Sequence, residues 1–482
     1  MRERVPFTPA DLVRRQHGTD DTLAGVTNST TITITNLLIG DAGGSMFDFS
    51  KGGDDTFFGG FFNVINTVYG DAVGTMSDRS KGGDDTFWGG GSIPHAPPGQ
   101  YPTNTFYGDA GDSMSDRSKG GNDTFNGGAL ASNVFYGDTA KSLFDLAQGG
   151  DDIFTAAQFT ADNTFYGDAG GNMSGDSKSG NDTFTGGSIS NNIFYGDVGG
   201  AMSGHSRSGN DTFTGGSFAS ANTFYGDAGG NISGHSKAGD DTFTVLATIV
   251  SSNTFYGDAG GNMSGHARGG DDNFTASGSA LSNDVTGDAL AMSGQAVGGN
   301  DHLTCGNASD SGENILQYIL RGDADAMSGS ARGGNDVLTG GNNSNTIGDG
   351  QLNNFLYGDA LSLSGSSTGG NDTLYAGTGT AGGTVSNVMW GDGLLSGHAK
   401  GGTDQFVFKD DGLMTVGTQN TIEDFSQRQH DQIKFIDVAG VQSFNDLVIT
   451  QSGTDTVITA GADEVTLHNF TGSLTERDFL FA

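Results

Sequence analysis

One unit recurs along this chain about every 30 residues as far as residue 406: Asn-Thr-Phe-Tyr-Gly-Asp-Ala, a short run, then Gly-Asn-Asp-Thr-Phe. A clear copy occupies residues 163–169 and 180–184. Self-similarity at this period belongs to solenoids, propellers and arrays, in which no single repeat buries its own apolar face. Composition narrows the choice. With 85 Gly, 6 Pro and no Gly-X-Y period, the chain is not collagenous. Only 16% of residues are charged, and 32 Phe recur at fixed positions, which argues against a disordered acidic tail.

Two aspartate motifs set the internal metric. Gly-Asp supplies Asp41, Asp71, Asp109, Asp138, Asp168, Asp197, Asp227, Asp258, Asp288, Asp323, Asp359 and Asp392. Gly-x-Asp-x-(Phe/Leu) supplies Asp55, Asp85, Asp123, Asp152, Asp182, Asp211, Asp241, Asp272, Asp301, Asp336, Asp372 and Asp404. From the first Asp to the second the interval is 14 in eight units, then 13, 13, 13 and 12; from the second to the next first it ranges from 15 to 24. One connection is therefore fixed and the other accepts insertions, such as the proline-containing residues 91–103.

Period-two alternation in Asn-Thr-Phe-Tyr-Gly puts Asn and Phe on one face of a strand and Thr and Tyr on the other. Phe106, Phe135, Phe165, Phe194, Phe224 and Phe255 form one apolar column. Phe57, Phe87, Phe125, Phe154, Phe184, Phe213, Phe243 and Phe274 form a second. Met46, Met76, Met114, Met173, Met202, Met263, Met292 and Met327 supply a third, read as packing. The fold class expected is all-β: a parallel β-solenoid of about a dozen coils over residues 18–406, ~60 Å long at the strand spacing. Residues 1–17, with an N-cap pattern at Thr8-Pro-Ala-Asp11, predict a short helical cap. Residues 407–482 predict a non-repeating β cap.

Several polar columns accompany the core. Asn precedes the Phe strand in eleven of twelve units and predicts an asparagine ladder inside the stack. Outward Tyr69, Tyr107, Tyr136, Tyr166, Tyr195, Tyr225, Tyr256 and Tyr357, with Trp390, form an aromatic ladder that either binds glycan or stabilises the sheet. His205, His235, His266 and His398 share a column with Arg79, Asp176 and Ser330, a variability expected of a solvated surface. Lys51, Lys81, Lys119, Lys178, Arg207, Lys237, Arg268, Arg332 and Lys400 supply nine positive charges against 24 stacked aspartates. Asp138, Asp288 and Asp359 persist where Gln148, Val297 and Thr368 replace the base, so the acids do not follow the bases. The aspartates then either cap turn N–H groups or bind cations, with Ca2+ the natural ion for carboxylates and carbonyls of a glycine-rich turn.

The net charge of −36 makes nucleic acid and anionic membrane poor partners. A single cysteine, Cys305, excludes a disulfide framework. The first 18 residues carry no apolar signal-peptide core, and no run approaches 18 apolar residues.

Gly180-Asn-Asp-Thr-Phe-Thr-Gly-Gly187 and Tyr107-Gly-Asp-Ala110 resemble the calcium-binding nonapeptide of RTX (repeats-in-toxin) proteins. The stretch from Gly402-Thr-Asp-Gln-Phe-Val-Phe408 to Asp478-Phe-Leu-Phe481 resembles the C-terminal region of RTX proteins exported by type I secretion. The resemblance implies a β-roll that folds on calcium outside a Gram-negative cell, with an uncleaved export signal read by the type I apparatus. The coil here is expanded from two nonapeptides to about 30 residues. The Asp of Gly-x-Asp matches the family's ligand position, whereas that of Gly-Asp matches a variable one, so the former column ranks first. The function expected is a secreted, non-enzymatic, calcium-binding structural or adhesive protein, with glycan or its own copies as further partners. A polysaccharide-active β-helix enzyme and an ice-binding solenoid, the latter from the outward Thr column at 56, 86, 124, 183, 212 and 242, are the alternatives.

Overall fold

The computed structural model describes residues 11–28, 33–92, 101–157, 162–188, 190–216, 221–246, 252–277, 282–308, 315–345, 350–380, 383–409 and 419–482. Residues 1–10, where the expected helical cap begins, and residues 93–100 of the long insertion lie outside them. The chain is an all-β parallel solenoid of about twelve turns, whose helical pieces among the described residues are two 3-10 turns, Phe444–Asp446 and Glu476–Asp478. It forms two compact units: Met1–Thr242 with Ala259–Gly261, and Phe243–Asp258 with Asn262–Ala482.

In the N-terminal unit, seven short strands of one sheet pair in parallel and in register, from Thr22–Ala24 through Thr56–Phe58 and Thr86–Trp88 to Thr212–Gly215. A second sheet runs from Ile34–Ile39 to Asn222–Tyr225 in the same way. The alternation that predicts these strands is what their burial shows: Asn133 and Phe135 point in while Tyr136 and Val134 are half-exposed. Phe57, Phe87, Phe125, Phe154, Phe184 and Phe213 are fully buried, with ring centroids 4.6–5.0 Å apart. Each buried Phe contributes about 1.5–3 kcal/mol by leaving water, and the ring pairs add about 0.5–1.5 kcal/mol beyond area. Met46, Met76, Met114, Met173 and Met202 are also fully buried, which bears out the packing reading of that column.

The part of the N-terminal cap that the structure describes is not helical. Leu12 bridges Met46 and His17 bridges Lys51, so residues 11–17 already follow the path of a coil. The apolar Leu12 is drawn into the Met column, a stronger pull than the local helix signal of Thr8–Asp11.

In the C-terminal unit the first sheet runs from Asn273–Ser277 to Phe479–Phe481. The second runs from Ser252–Tyr256 to Asp463–Leu467, and closes with the antiparallel strands Asp455–Ala460 and Leu447–Ser452. A third sheet forms at the Met column from Ala289–Met292, Ala324–Met327, Ala360–Leu363 and Leu394–Leu395. Coil register continues past residue 406, since Gln419–Ile422 and Gln432–Ile436 still pair in parallel with the preceding coil.

The asparagine ladder is continuous through the N-terminal unit. Amide donates to amide from Asn36 through Asn66, Asn104, Asn133, Asn163 and Asn192 to Asn222 at 2.7–2.9 Å. In the C-terminal unit Asn253 donates to Asn283, and Asn354 through Asn387 to Asn420. Tyr318, fully buried, stands in register between Asn283 and Asn354.

Candidate metal centre: facing columns of buried carboxylates

Both aspartate columns turn inward. Every one of their 24 members is at most 3% exposed, with Asp227 and Asp258 of the first column at 0% and Asp241 and Asp272 of the second at 1%. The rank that the sequence gives the second column over the first is therefore not matched by any difference in burial. Burial of both follows from the glycine that precedes or faces each. A Cβ at Gly70 would lie 1.8 Å from Asp85 Oδ2 and 2.0 Å from the carbonyl oxygen of Gly108. At Gly108 the corresponding distances to Asp123 Oδ2 and Gly137 O are 1.7 and 1.8 Å. Only a residue without a side chain lets carboxylate and carbonyl approach the backbone there.

In the second column, one oxygen is used to bind coil to coil. Asp85 Oδ1 accepts the backbone N–H of Asp55 at 2.6 Å and Asp182 Oδ1 that of Asp152 at 2.7 Å. Asp211 Oδ1 accepts from Asp182, and Asp241 Oδ1 from Asp211, each at 2.6 Å. The pattern resumes in the C-terminal unit, where Asp301 accepts from Asp272, Asp336 from Asp301 and Asp372 from Asp336, each at 2.7 Å. The other oxygen, Oδ2, has no hydrogen-bond donor in Asp55, Asp85, Asp123, Asp152, Asp182, Asp211, Asp301, Asp336, Asp372 and Asp404.

The first column caps the fixed turn of its own coil. Gly53 N–H donates to Asp41 at 2.6 Å, Gly83 to Asp71 at 3.0 Å, Gly180 to Asp168 at 3.2 Å and Gly370 to Asp359 at 2.6 Å. Gly239 donates likewise to Asp227, and Gly270 to Asp258, both at 3.0 Å. Capping of turn N–H groups is thus real, yet Oδ2 of Asp168, Asp197, Asp288, Asp323 and Asp359 still meets no donor. The columns converge: carboxylate oxygens of Asp168, Asp182 and Asp197 all lie within 4.8 Å of one another. That triad takes members from both columns, where the sequence ranks one above the other.

Burial dominates the electrostatics. It pushes Asp85, Asp123, Asp182, Asp301 and Asp336 well above the ordinary 3.8, and repulsion from neighbouring carboxylates pushes them further. Asp55 rises to about 8 and Asp404 to about 10 for the same reason. Asp109 and Asp288 rise only to about 6 and Asp168 to about 7, because the N–H groups of the turn glycines Gly121, Gly299 and Gly180 donate to them and oppose the loss of solvation.

The basic column gives no relief. Its nine side chains are exposed or half-exposed, and among the described residues none forms an ion pair with either aspartate column. The columns also extend beyond the repeats recognised in the sequence. Asp424 accepts from the N–H groups of Gly391, Asp392 and Gly393, and Asp431 accepts from Asp404 N–H. Burial lifts Asp424 to about 7 and Asp431 to about 8. Neither follows a glycine, so neither carries the Gly-Asp or Gly-x-Asp signature, although Asn420, four residues before Asp424, marks the coil.

Other polar groups separate from this centre. Arg321, with its side chain 9% exposed, is held by Asp284 at 2.5 Å and Asp325 at 2.7 Å. His205 and His235 stack at 5.2 Å on the surface. The Tyr rings at 69, 107, 136, 166, 195 and 225 stack face to face at 4.7–5.0 Å, within 2–11° of parallel. Their faces are used by one another, which favours the sheet-stabilising role over stacking on a sugar.

Among the described residues no helix is long and apolar enough to cross a membrane. No protein-family model, curated protein or solved structure matches the chain.

Proposed function

We propose that this is a secreted, non-enzymatic protein whose solenoid binds calcium along its interior carboxylate columns and serves a structural or adhesive role outside the cell. The observation that carries the reading is the buried, donorless Oδ2 of the second column, repeated coil after coil. A buried carboxylate oxygen without a partner is costly, and a hard divalent cation with oxygen ligands is the partner that removes the cost. The second-column oxygens, first-column oxygens such as those of Asp168 and Asp197, and glycine carbonyls such as Gly196 O are the groups that would hold it. Charge supports the ion class: two carboxylates per coil are neutralised by one divalent ion per coil. The resemblance to RTX repeats supports calcium among such ions, as well as type I export from a Gram-negative cell.

The enzymatic alternative has less support. Arg321, the charged group at the irregular coils, has its guanidinium engaged by Asp284, Thr286 and Asp325. The ice-binding alternative needs a flat hydroxyl array, and Phe58, Trp88 and Ile153 interrupt the face on which the Thr column lies.

Circular dichroism of the chain in EDTA, then with calcium at millimolar levels, tests the reading. We expect a gain in β signal or a marked rise in melting temperature. A complete signal in EDTA with an unmoved melting temperature overturns it.

A further inference from the structure

The outward face of the first sheet in the N-terminal unit holds two aromatic side chains unlike the rest. Phe58 and Trp88 are 42% and 48% exposed and sit as direct partners on adjacent parallel strands. Among the described residues neither ring joins a stack, whereas the outward Tyr rings cover one another. Thr56, Thr86 and Thr124 run alongside them in register, and Asn126 follows Trp88 in the same row. The strands Thr22–Ala24, Thr56–Phe58, Thr86–Trp88, Thr124–Asn126 and Ile153–Thr155 contain no charged residue, in a chain of net charge −36.

We propose that Phe58 and Trp88 are the docking platform for a neutral polysaccharide chain, an inference that rests on the extracellular adhesive reading above. Each part of the face matches that ligand. Aromatic faces carry negative quadrupole charge and attract the weakly positive C–H faces of a pyranose ring. The Thr hydroxyls and the Asn126 amide exchange hydrogen bonds with sugar hydroxyls. Strands recur at about 4.8 Å, so the platform is a row along the coil axis, suited to a linear polymer. Exposed Asp54 and Asp84, two residues before Thr56 and Thr86, repel a polyuronate or sulfated chain at the edge of the face. An exposed apolar patch rimmed by polar groups marks an interaction site, and repulsion between two copies that stay net negative even with the 24 buried carboxylates neutralised disfavours self-association as its use.

The chain has two tryptophans, so Trp390→Phe leaves Trp88 as the sole tryptophan emitter. The full-length Trp390→Phe protein is titrated with hexamers of β-linked glucose and of β-linked N-acetylglucosamine, with and without calcium. A polyuronate and neutral lipid vesicles serve as competing probes, and calcium-dependent melting is followed on the same samples. We expect a neutral hexamer to shift Trp88 emission to the blue and protect it from acrylamide. By calorimetry, Phe58→Thr and Trp88→Thr should each weaken binding about tenfold, a typical worth of one aromatic contact, with melting unchanged. Binding to neither hexamer, response only to polyuronate or vesicles, or undiminished affinity in both variants overturns the proposal. Glycan binding that persists while melting ignores calcium sinks the calcium reading alone and leaves this face standing.

Discussion

A single aspartate in this protein does two jobs with its two oxygens. Asp182 Oδ1 accepts the N–H of Asp152, and Oδ2 faces inward without a donor. Asp182→Asn retains an acceptor for Asp152 and removes the charge. Without calcium at pH 8, this variant should therefore be more stable than the parent by about 1–3 kcal/mol, the scale of relieving an unpaired buried charge. Its calcium-induced rise in melting temperature should be smaller. Thermal melting in EDTA and in calcium checks both signs, and a variant destabilised in EDTA contradicts the account. The asparagine ladder makes the opposite prediction. Asn163→Ala strips Asn133 of its acceptor and Asn192 of its donor, which should cost about 1–3 kcal/mol with or without calcium, as read by denaturant titration.

The sequence pattern makes the inward Asn and Phe of residues 163–165 plain, because period two assigns faces in a strand. It says nothing of that kind about Asp168, which follows the strand Asp162–Tyr166 at a glycine whose conformation no pattern announces. Burial of the aspartates is therefore the feature that sequence reasoning leaves out.

At the level of elements, the turn between the Met and basic columns is built in two ways. In the first coils both central residues are left-handed and neither is glycine: Asp48 and Phe49 at φ 58° and 62°, Asp78 and Arg79 at 51° and 63°, Asp116 and Arg117 at 50° and 66°. From Gly175 onward a glycine takes the first position, at φ 77° there and 80° at Gly204. Left-handed backbone costs an L-residue roughly 1–2 kcal/mol, and Asp tolerates it better than most. Asp78→Gly should thus stabilise the protein by up to about 1 kcal/mol after the extra chain entropy of glycine is subtracted. A shift of the denaturation midpoint to lower denaturant would contradict that. The third sheet is another element only half visible beforehand. Apolar Met292 and Met327 mark its position, but nothing in their spacing tells an isolated bridge, as at Met76, from the strands Ala289–Met292 and Ala324–Met327.

For the whole molecule, the carboxylate columns tie folding to pH in a definite direction. Folded values are raised above the ordinary 3.8, so in the absence of metal the folded state holds more protons than the unfolded state. That stabilisation is complete below pH 3.8 and is lost as pH climbs through about 6 at Asp109, 7 at Asp168 and 8 at Asp55. Metal-free protein should melt at progressively lower temperature between about pH 5 and pH 8.5, and calcium should restore more at the upper end. A melting temperature that rises over this range in EDTA is the contrary result. Cys305, buried, with its thiol pushed up by burial, should react with thiol reagents only as the C-terminal unit opens, so its labelling rate follows the same pH dependence there.

The second sheet of the C-terminal unit does not end on another coil. Its last parallel strand, Asp463–Leu467, is covered by two antiparallel strands, and the outermost, Leu447–Ser452, presents Thr450, Gln451 and Ser452 to solvent. A parallel sheet left bare is a template, and any chain with the same repeat could add to it in register. Reversing direction at the last rows withholds that template from a neighbouring copy. On this sheet the number of rows is thus set within the chain and not by concentration, whereas the first sheet ends on the parallel strand Phe479–Phe481 and keeps an edge open to pairing.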